Sequence, residues 1–119
     1  MQQRHSLQVT VEEIEAIPVV RAAGEMDLAT IPELRAVVNE LTDRVPQTLV
    51  FDFTSITYLD SSGLGILVSV KRRLGAYGGD VIIISNAACV LKALDLSGLD
   101  QILKVFHTEE EFRSALVRS

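Results

Sequence analysis

Two adjacent hydroxyls, Ser61 and Ser62, stand where they could do chemistry. They lie in the run Leu59-Asp-Ser-Ser-Gly-Leu-Gly65, which follows the apolar segment Thr48-Leu-Val-Phe-Asp-Phe53. That order predicts a strand handing over to a helix, with the serines at the helix start. The first amides of a helix have no intrahelical partners, and the helix dipole places partial positive charge there. A short oxygen-bearing side chain at this point can cap the helix. It can also accept a phosphoryl group, because helix N-termini suit anions. On these residues alone both roles stay open, for either serine.

Other chemistries find less support. A nucleophilic serine needs a base and a group to orient that base. The two histidines, His5 and His107, flank the expected first strand and last helix, and the chain lacks a Gly-x-Ser-x-Gly elbow. No Cys/His ligand pair and no His-Glu-x-x-His occurs. Gly63-Leu-Gly65 is a fragment of a dinucleotide fingerprint, with Val68 in place of the third glycine. Glu25 and Asp27 after an early strand, Asp52 in the third and Lys104 in the last match the residue types of a Mg²⁺-dependent phosphoacceptor receiver. Phe53 after Asp52 implies, however, that the strand continues past the acid, and an amino-terminal hairpin breaks the alternating βα order.

The elements that must position the serines follow from periodicity and turn chemistry. Leu7–Val11 alternates as a strand, and residues 17–23 form a second, closed by Gly24, with a hairpin between them. Thr30-Ile-Pro-Glu33 has the pattern of a capping box with proline in the first turn. The helix it opens runs to about Arg44, with Ile31, Leu34, Val37, Val38 and Leu41 inward, and Pro46 bars its continuation. Residues 48–53 form a third strand. A second helix runs from near Ser61 to near Tyr77, before Gly78-Gly79. Asp80–Ile84 is a buried strand, and Ser85 or Asn86 caps a third helix that Gly98 ends. Ile102–Phe106 is a last strand, and Thr108-Glu-Glu-Glu111 opens a final helix with Phe112, Ala115 and Leu116 inward. The order ββαβαβαβα predicts an α/β fold with a mixed four- to five-stranded sheet, an amino-terminal β-hairpin and then βα repeats. Residues 1–119 read as one domain.

At 100° per residue, Leu64, Leu67, Val68, Val70 and Leu74 of the second helix spread over an apolar arc. Ser61, Gly65, Ser69, Arg72 and Ala76 fall on the opposite side, which is either a solvated face or a docking surface. Ile66 and Tyr77 border the arc and are expected to be half exposed.

Composition narrows the partners. The chain is 48% hydrophobic and 23% charged, with net charge −5; this is a folding composition. Its densest basic cluster is Lys71-Arg72-Arg73, which argues against nucleic acid as a partner. No apolar stretch reaches the 18 or so residues of a membrane span, and no signal peptide opens the chain. Cys89, the single cysteine, excludes an internal disulfide and fits a reducing cytoplasm; among apolar helix residues it reads as a buried, inert thiol.

With these elements in place, a resemblance emerges. Tyr58-Leu-Asp-Ser-Ser-Gly-Leu-Gly-Ile-Leu67 is similar to the signature of anti-sigma factor antagonists, which are single STAS domains. Gly24-Glu-Met-Asp27 resembles the Gly-Glu-Leu-Asp turn of that family. Gly78-Gly79 matches its glycine-rich turn, and Leu94-Asp-Leu-Ser-Gly-Leu99 resembles its Phe-Asp-x-Ser-Gly-Leu segment. The resemblance spans about Leu7 to Val117. It implies a STAS fold and a regulatory protein rather than an enzyme, with no cofactor and no metal.

The implied partner is an anti-sigma factor that is itself a serine kinase. The implied phosphoacceptor is Ser61, directly after the motif aspartate, and a metal-dependent serine phosphatase restores the unmodified form. The resemblance also puts Asp27 near the partner's nucleotide, and Asp60 beside the acceptor to orient it. With the helix reading, the expected docking surface is Asp27, Asp60, Ser62, Gly63, Gly65, Ile66, Ser69 and Arg72. Other functions open to such a domain are an interaction module of another signalling assembly and a small-ligand sensor.

Overall fold

A computed structural model describes residues 6–118. His5 lies outside the described residues. The elements are β1 (Leu7–Ile14), β2 (Ile17–Met26), α1 (Ile31–Thr42), β3 (Thr48–Leu59), α2 (Ser61–Gly75), β4 (Asp80–Ile84), α3 (Ala88–Ser97), β5 (Lys104–Phe106) and α4 (Glu109–Val117). A 3₁₀ turn, Leu99–Gln101, links α3 to β5.

The five strands lie in sequence order, β1-β2-β3-β4-β5, with β1 antiparallel to β2 and the remaining neighbours parallel. Consecutive parallel strands that always step the same way, joined by right-handed crossovers, put every crossover helix on one face. The core obeys this. Ile31, Leu34, Val38 and Leu41 of α1, Leu67, Val70 and Leu74 of α2, and Val90 and Leu94 of α3 share one cluster with Val20, Phe51, Phe53, Val81 and Ile83 of the sheet. The opposite face carries α4, whose Phe112 packs with Ile14, Val19, Val50 and Ile84.

The first three strands run further than the local pattern suggests. β1 continues to Ile14 because the hairpin turns on two residues, Glu15 and Ala16, both at positive φ (52° and 69°). This is the sense of a turn that matches strand twist, made without the usual Asn or Gly. β2 passes through Gly24 rather than ending there. Gly24 sits at φ +117°, and a Cβ at this point would collide with the Ser6 carbonyl, which accepts the Glu25 amide at 2.9 Å.

β3 extends six residues beyond Phe53, to Leu59. The Asp52 Oδ1 accepts both the Thr54 amide (3.0 Å) and the Thr54 hydroxyl (2.7 Å), while its Oδ2 is held by Arg21. The register with β2 shifts there, from Arg21↔Asp52 to Ala23↔Ser55, so the strand absorbs a bulge and keeps pairing. Arg21 also binds Glu12 of β1 and Glu109 of α4 (3.0 and 2.9 Å), tying three strands and a helix together. Burial works against the Arg21 charge, but its hydrogen bonds to Glu109 and Glu12 and the charge of Asp52 outweigh that effect and hold its pKa above the ordinary value.

Four further boundaries differ from expectation. α1 stops at Thr42 and α2 at Gly75, each followed by a turn. β5 begins at Lys104, because the Ile102 and Leu103 amides are still donating to the Leu99 carbonyl. α3 has Ala87 at its N-cap, with no side-chain cap bond. Ser85 is buried instead, donating to the Phe53 carbonyl (3.0 Å) and accepting the Ala87 amide (3.1 Å). The capping box of α4 forms as its sequence indicates, with Thr108 Oγ1 accepting the Glu111 amide at 3.1 Å.

Candidate functional site

β2 and β3 end side by side. Met26 pairs with Leu59, and the next residue on each strand is an aspartate. Each aspartate starts a helix. Asp60 is the N-cap of α2, its Oδ1 accepting the Ser62 amide at 2.8 Å. Asp27 performs the same service for the turn into α1, its Oδ1 accepting the Ala29 and Thr30 amides, both at 3.0 Å. The Asp60 amide donates to the Met26 carbonyl at 3.2 Å, which fixes one helix start against the other.

This arrangement corrects two sequence expectations. Neither serine caps α2, because the aspartate before them does. Thr30 occupies the N-cap position of α1, but its hydroxyl makes no capping bond. It donates to the Glu25 carbonyl (2.8 Å) and accepts the Asp27 amide (3.0 Å), stitching the end of β2 to the turn. In both cases the carboxylate outcompetes a hydroxyl as the acceptor of helix amides.

With Asp60 in the capping role, Ser61 is the first residue of α2 and is exposed. Ser62 is half-buried, with its amide engaged. Gly63 is buried, and a Cβ there would overlap Leu59 Cδ1 and come within 2.5 Å of Met26 Sδ, so it lets α2 sit down on the ends of β2 and β3. Gly65 is exposed, with open space where a Cβ would go.

The expected half-exposure of Ile66 is not observed. It is 3% exposed and belongs to the core on the α1 side. Val68, assigned inward by the helical wheel, is 37% exposed instead. Both departures follow from α2 packing against α1 as well as the sheet, which rotates the buried arc toward α1. Ser69 is half-buried beside Arg35, Val38 and Asn39 of α1. Arg72 is exposed. Its neighbours in the basic trio are engaged, Lys71 with Asp80 (3.0 Å) and Arg73 with Asn39 (3.0 Å) and Asp43 (3.4 Å). Ser61, Gly65, Val68 and Arg72 thus line the open side of α2. Asp27 is 8% exposed, with its carboxylate turned into the turn it caps.

Leu28 is not among the site residues that the motifs point to. It is 77% exposed at the tip of the β2–α1 turn, two residues beyond the Met26 carbonyl that binds Asp60. A signal was present, namely an apolar residue between an Asx-type cap and a helix start, where nothing can bury it. The receiver-like acids do not assemble. Asp52 lies mid-strand, on the α4 face, bound to Arg21 and Thr54, and Lys104 Nζ sits over the Phe106 ring at 5.9 Å. A depression of about 290 Å³ beside them is lined by Thr10, Arg21, Asp52 and Thr54, whose charged groups bind one another.

No helix among the described residues is long and apolar enough to cross a membrane. The STAS domain family model matches residues 8–112. The chain is 28% identical over 105 residues to an anti-sigma F factor antagonist of Paenibacillus polymyxa, covering 87% of this chain and 90% of that protein. It is 28% identical over 106 residues to the anti-sigma-F factor antagonist RsfB of Mycobacterium tuberculosis, covering 87% and 84%. The crystal structure of an anti-sigma factor antagonist from Mycobacterium paratuberculosis superposes with a TM-score of 0.88 at 27% identity, covering all of both chains. With the five-stranded mixed sheet and its helix order, these matches establish that the chain belongs to the STAS domain family.

Proposed function

We propose that this protein is an anti-sigma factor antagonist switched by phosphorylation of Ser61. In its unmodified form it binds an anti-sigma factor that is also a serine kinase, and so frees a sigma factor. Phosphorylation by that kinase ends the interaction, and a metal-dependent serine phosphatase restores it. The chain acts as a single STAS domain in the cytoplasm.

The observation that carries this reading is the setting of Ser61. Its side chain is exposed at the first position of α2, while Asp60 takes over the capping that a serine would otherwise perform. Ser62 is the poorer acceptor, because it is half-buried where Ser61 is exposed. The names of the curated relatives support the same partner class.

The physics of the switch follows from that position. A phosphate adds about −1.5 to −2 charges at neutral pH. The helix N-terminus accommodates that charge, so the fold tolerates it. The cost falls on the complex, where a partner must desolvate a doubly charged group beside Asp60. Arg72 lies eleven residues along α2, about 16 Å away by helical rise, too far to neutralise the phosphate.

The test is intact-mass and site mapping after incubation with ATP and each purified anti-sigma kinase of the same organism. One added phosphate on Ser61, absent from Ser61→Ala, supports the proposal. Modification that persists in Ser61→Ala and vanishes in Ser62→Ala would move the acceptor. No phosphate with any kinase that binds would leave a constitutive binding module.

A further inference from the structure

Resting on the Ser61 reading, we infer that Leu28 is an apolar anchor for the kinase partner and that Asp27 is the positioning residue that presents it. A leucine that is 77% exposed is unremarked on a mobile loop, but this turn is fixed. The Ala29 and Thr30 amides donate to Asp27 Oδ1, and the Ile31 amide donates to the Asp27 carbonyl at 2.8 Å. Thr30 Oγ1 bridges the Asp27 amide and the Glu25 carbonyl. The amides of residues 29 to 31 are therefore all committed to Asp27, and Leu28, which lies between Asp27 and those amides, is exposed to water from an ordered frame. Little conformational freedom remains to be lost when a partner covers it.

The occupant follows from proximity to the acceptor. A kinase that phosphorylates Ser61 must bring its nucleotide to within about 3–3.5 Å of the Ser61 hydroxyl. A standard interface then covers about 800 Å² of each partner around that point. Met26 accepts the Asp60 amide, so Leu28 and Ser61 each lie within two residues of one hydrogen bond. Leu28 falls under the kinase, which must offer an apolar socket beside its nucleotide site. The Asp27 carboxylate faces its own turn, at 8% residue exposure, and acts on the partner through Leu28.

The experiment uses the full chain and the anti-sigma kinase that modifies it, loaded with ADP for binding and with ATP for turnover. Leu28→Ala is expected to raise Kd, and KM for phosphorylation, about 10- to 100-fold, with kcat nearly unchanged. Its thermal midpoint stays close to that of the parent, since Leu28 is 77% exposed, and Leu28→Met recovers most of the affinity. Asp27→Asn keeps the Oδ1 acceptor and binds close to the parent, whereas an equal loss in Asp27→Asn and Asp27→Ala would show that the charge itself meets the partner. Parent-like binding by Leu28→Ala, with Ser61 still phosphorylated, overturns the anchor and leaves the Ser61 reading standing. A parent chain that is phosphorylated elsewhere overturns both.

Discussion

Asp27 and Asp60 hold equivalent posts on neighbouring strands. Each is the first residue after its strand, and each accepts amides of the helix start that follows, Asp27 from Ala29 and Thr30, Asp60 from Ser62. The Asp60 amide, bound to the Met26 carbonyl at 3.2 Å, locks the two posts together. Ser61 on one side and Leu28 on the other are consequently displayed at the same end of the sheet, beyond the carboxyl ends of β2 and β3.

Removing the Asp60 cap is expected to lower stability by about 1 kcal/mol in Asp60→Ala, while Asp60→Asn, which retains an acceptor, stays within a few tenths. Urea unfolding of the three proteins measures the difference. Equal losses in both variants would mean that the carboxylate's charge, not its hydrogen bond, holds the helix start.

Gly63 and Gly65, two residues apart in one motif, should respond in opposite directions. Gly63→Ala drives a methyl into Met26 and Leu59 and is expected to cost about 1–3 kcal/mol. Gly65→Ala meets open space and is expected to gain about 0.5–1 kcal/mol from helix propensity. If the open side of α2 docks a partner, Gly65→Ala stabilises the chain and weakens the complex at once. Thermal unfolding beside a binding titration separates a packing glycine from a docking one.

This contrast shows where the sequence was legible. The strand–helix order, the motif serine at the start of α2 and the capping box at Thr108 follow from periodicity and end signals that act within a few residues. The burial of Ile66 does not, because it depends on α1 lying beside α2. The length of β3 was hidden for a similar reason. The apolar run ends at Phe53, and the pairing that carries the strand on depends on Arg21, thirty-one residues before Asp52, holding the acid while β2 pairs around the bulge. The capping role of Asp60 rests on its extended backbone at the end of β3, which the motif alone does not specify.

The hairpin between β1 and β2 holds Glu15 and Ala16 at positive φ, a conformation that costs L-residues about 1 kcal/mol each. The double variant Glu15→Asn, Ala16→Gly is expected to raise stability by about 1 kcal/mol, measured by urea unfolding. A loss of stability would show that the Glu15 side chain contributes more than the turn geometry costs.

Acid stability should depend on Glu109. Hydrogen bonds from Arg113 and then Arg21 hold its carboxyl below the ordinary value of 4.5. A carboxylate with a depressed folded pKa contributes stability that is fully present above its unfolded pKa and lost as pH falls through the folded one. Glu109→Gln is therefore expected to lower stability near neutrality and to flatten the acid limb below about pH 4.5. Thermal midpoints across the acid range check this, and parallel curves for the two proteins would remove Glu109 from the linkage.

The most direct test of the central claim is a pair of dissociation constants for the anti-sigma kinase, one with the unmodified chain and one with the chain phosphorylated on Ser61, alongside the thermal midpoint of each form. The expected result is nearly equal midpoints and an affinity weakened a few hundredfold by the phosphate, corresponding to about 3–4 kcal/mol. Equal affinities for the two forms would contradict the account, because the phosphate would then sit at the start of α2 without controlling what docks there.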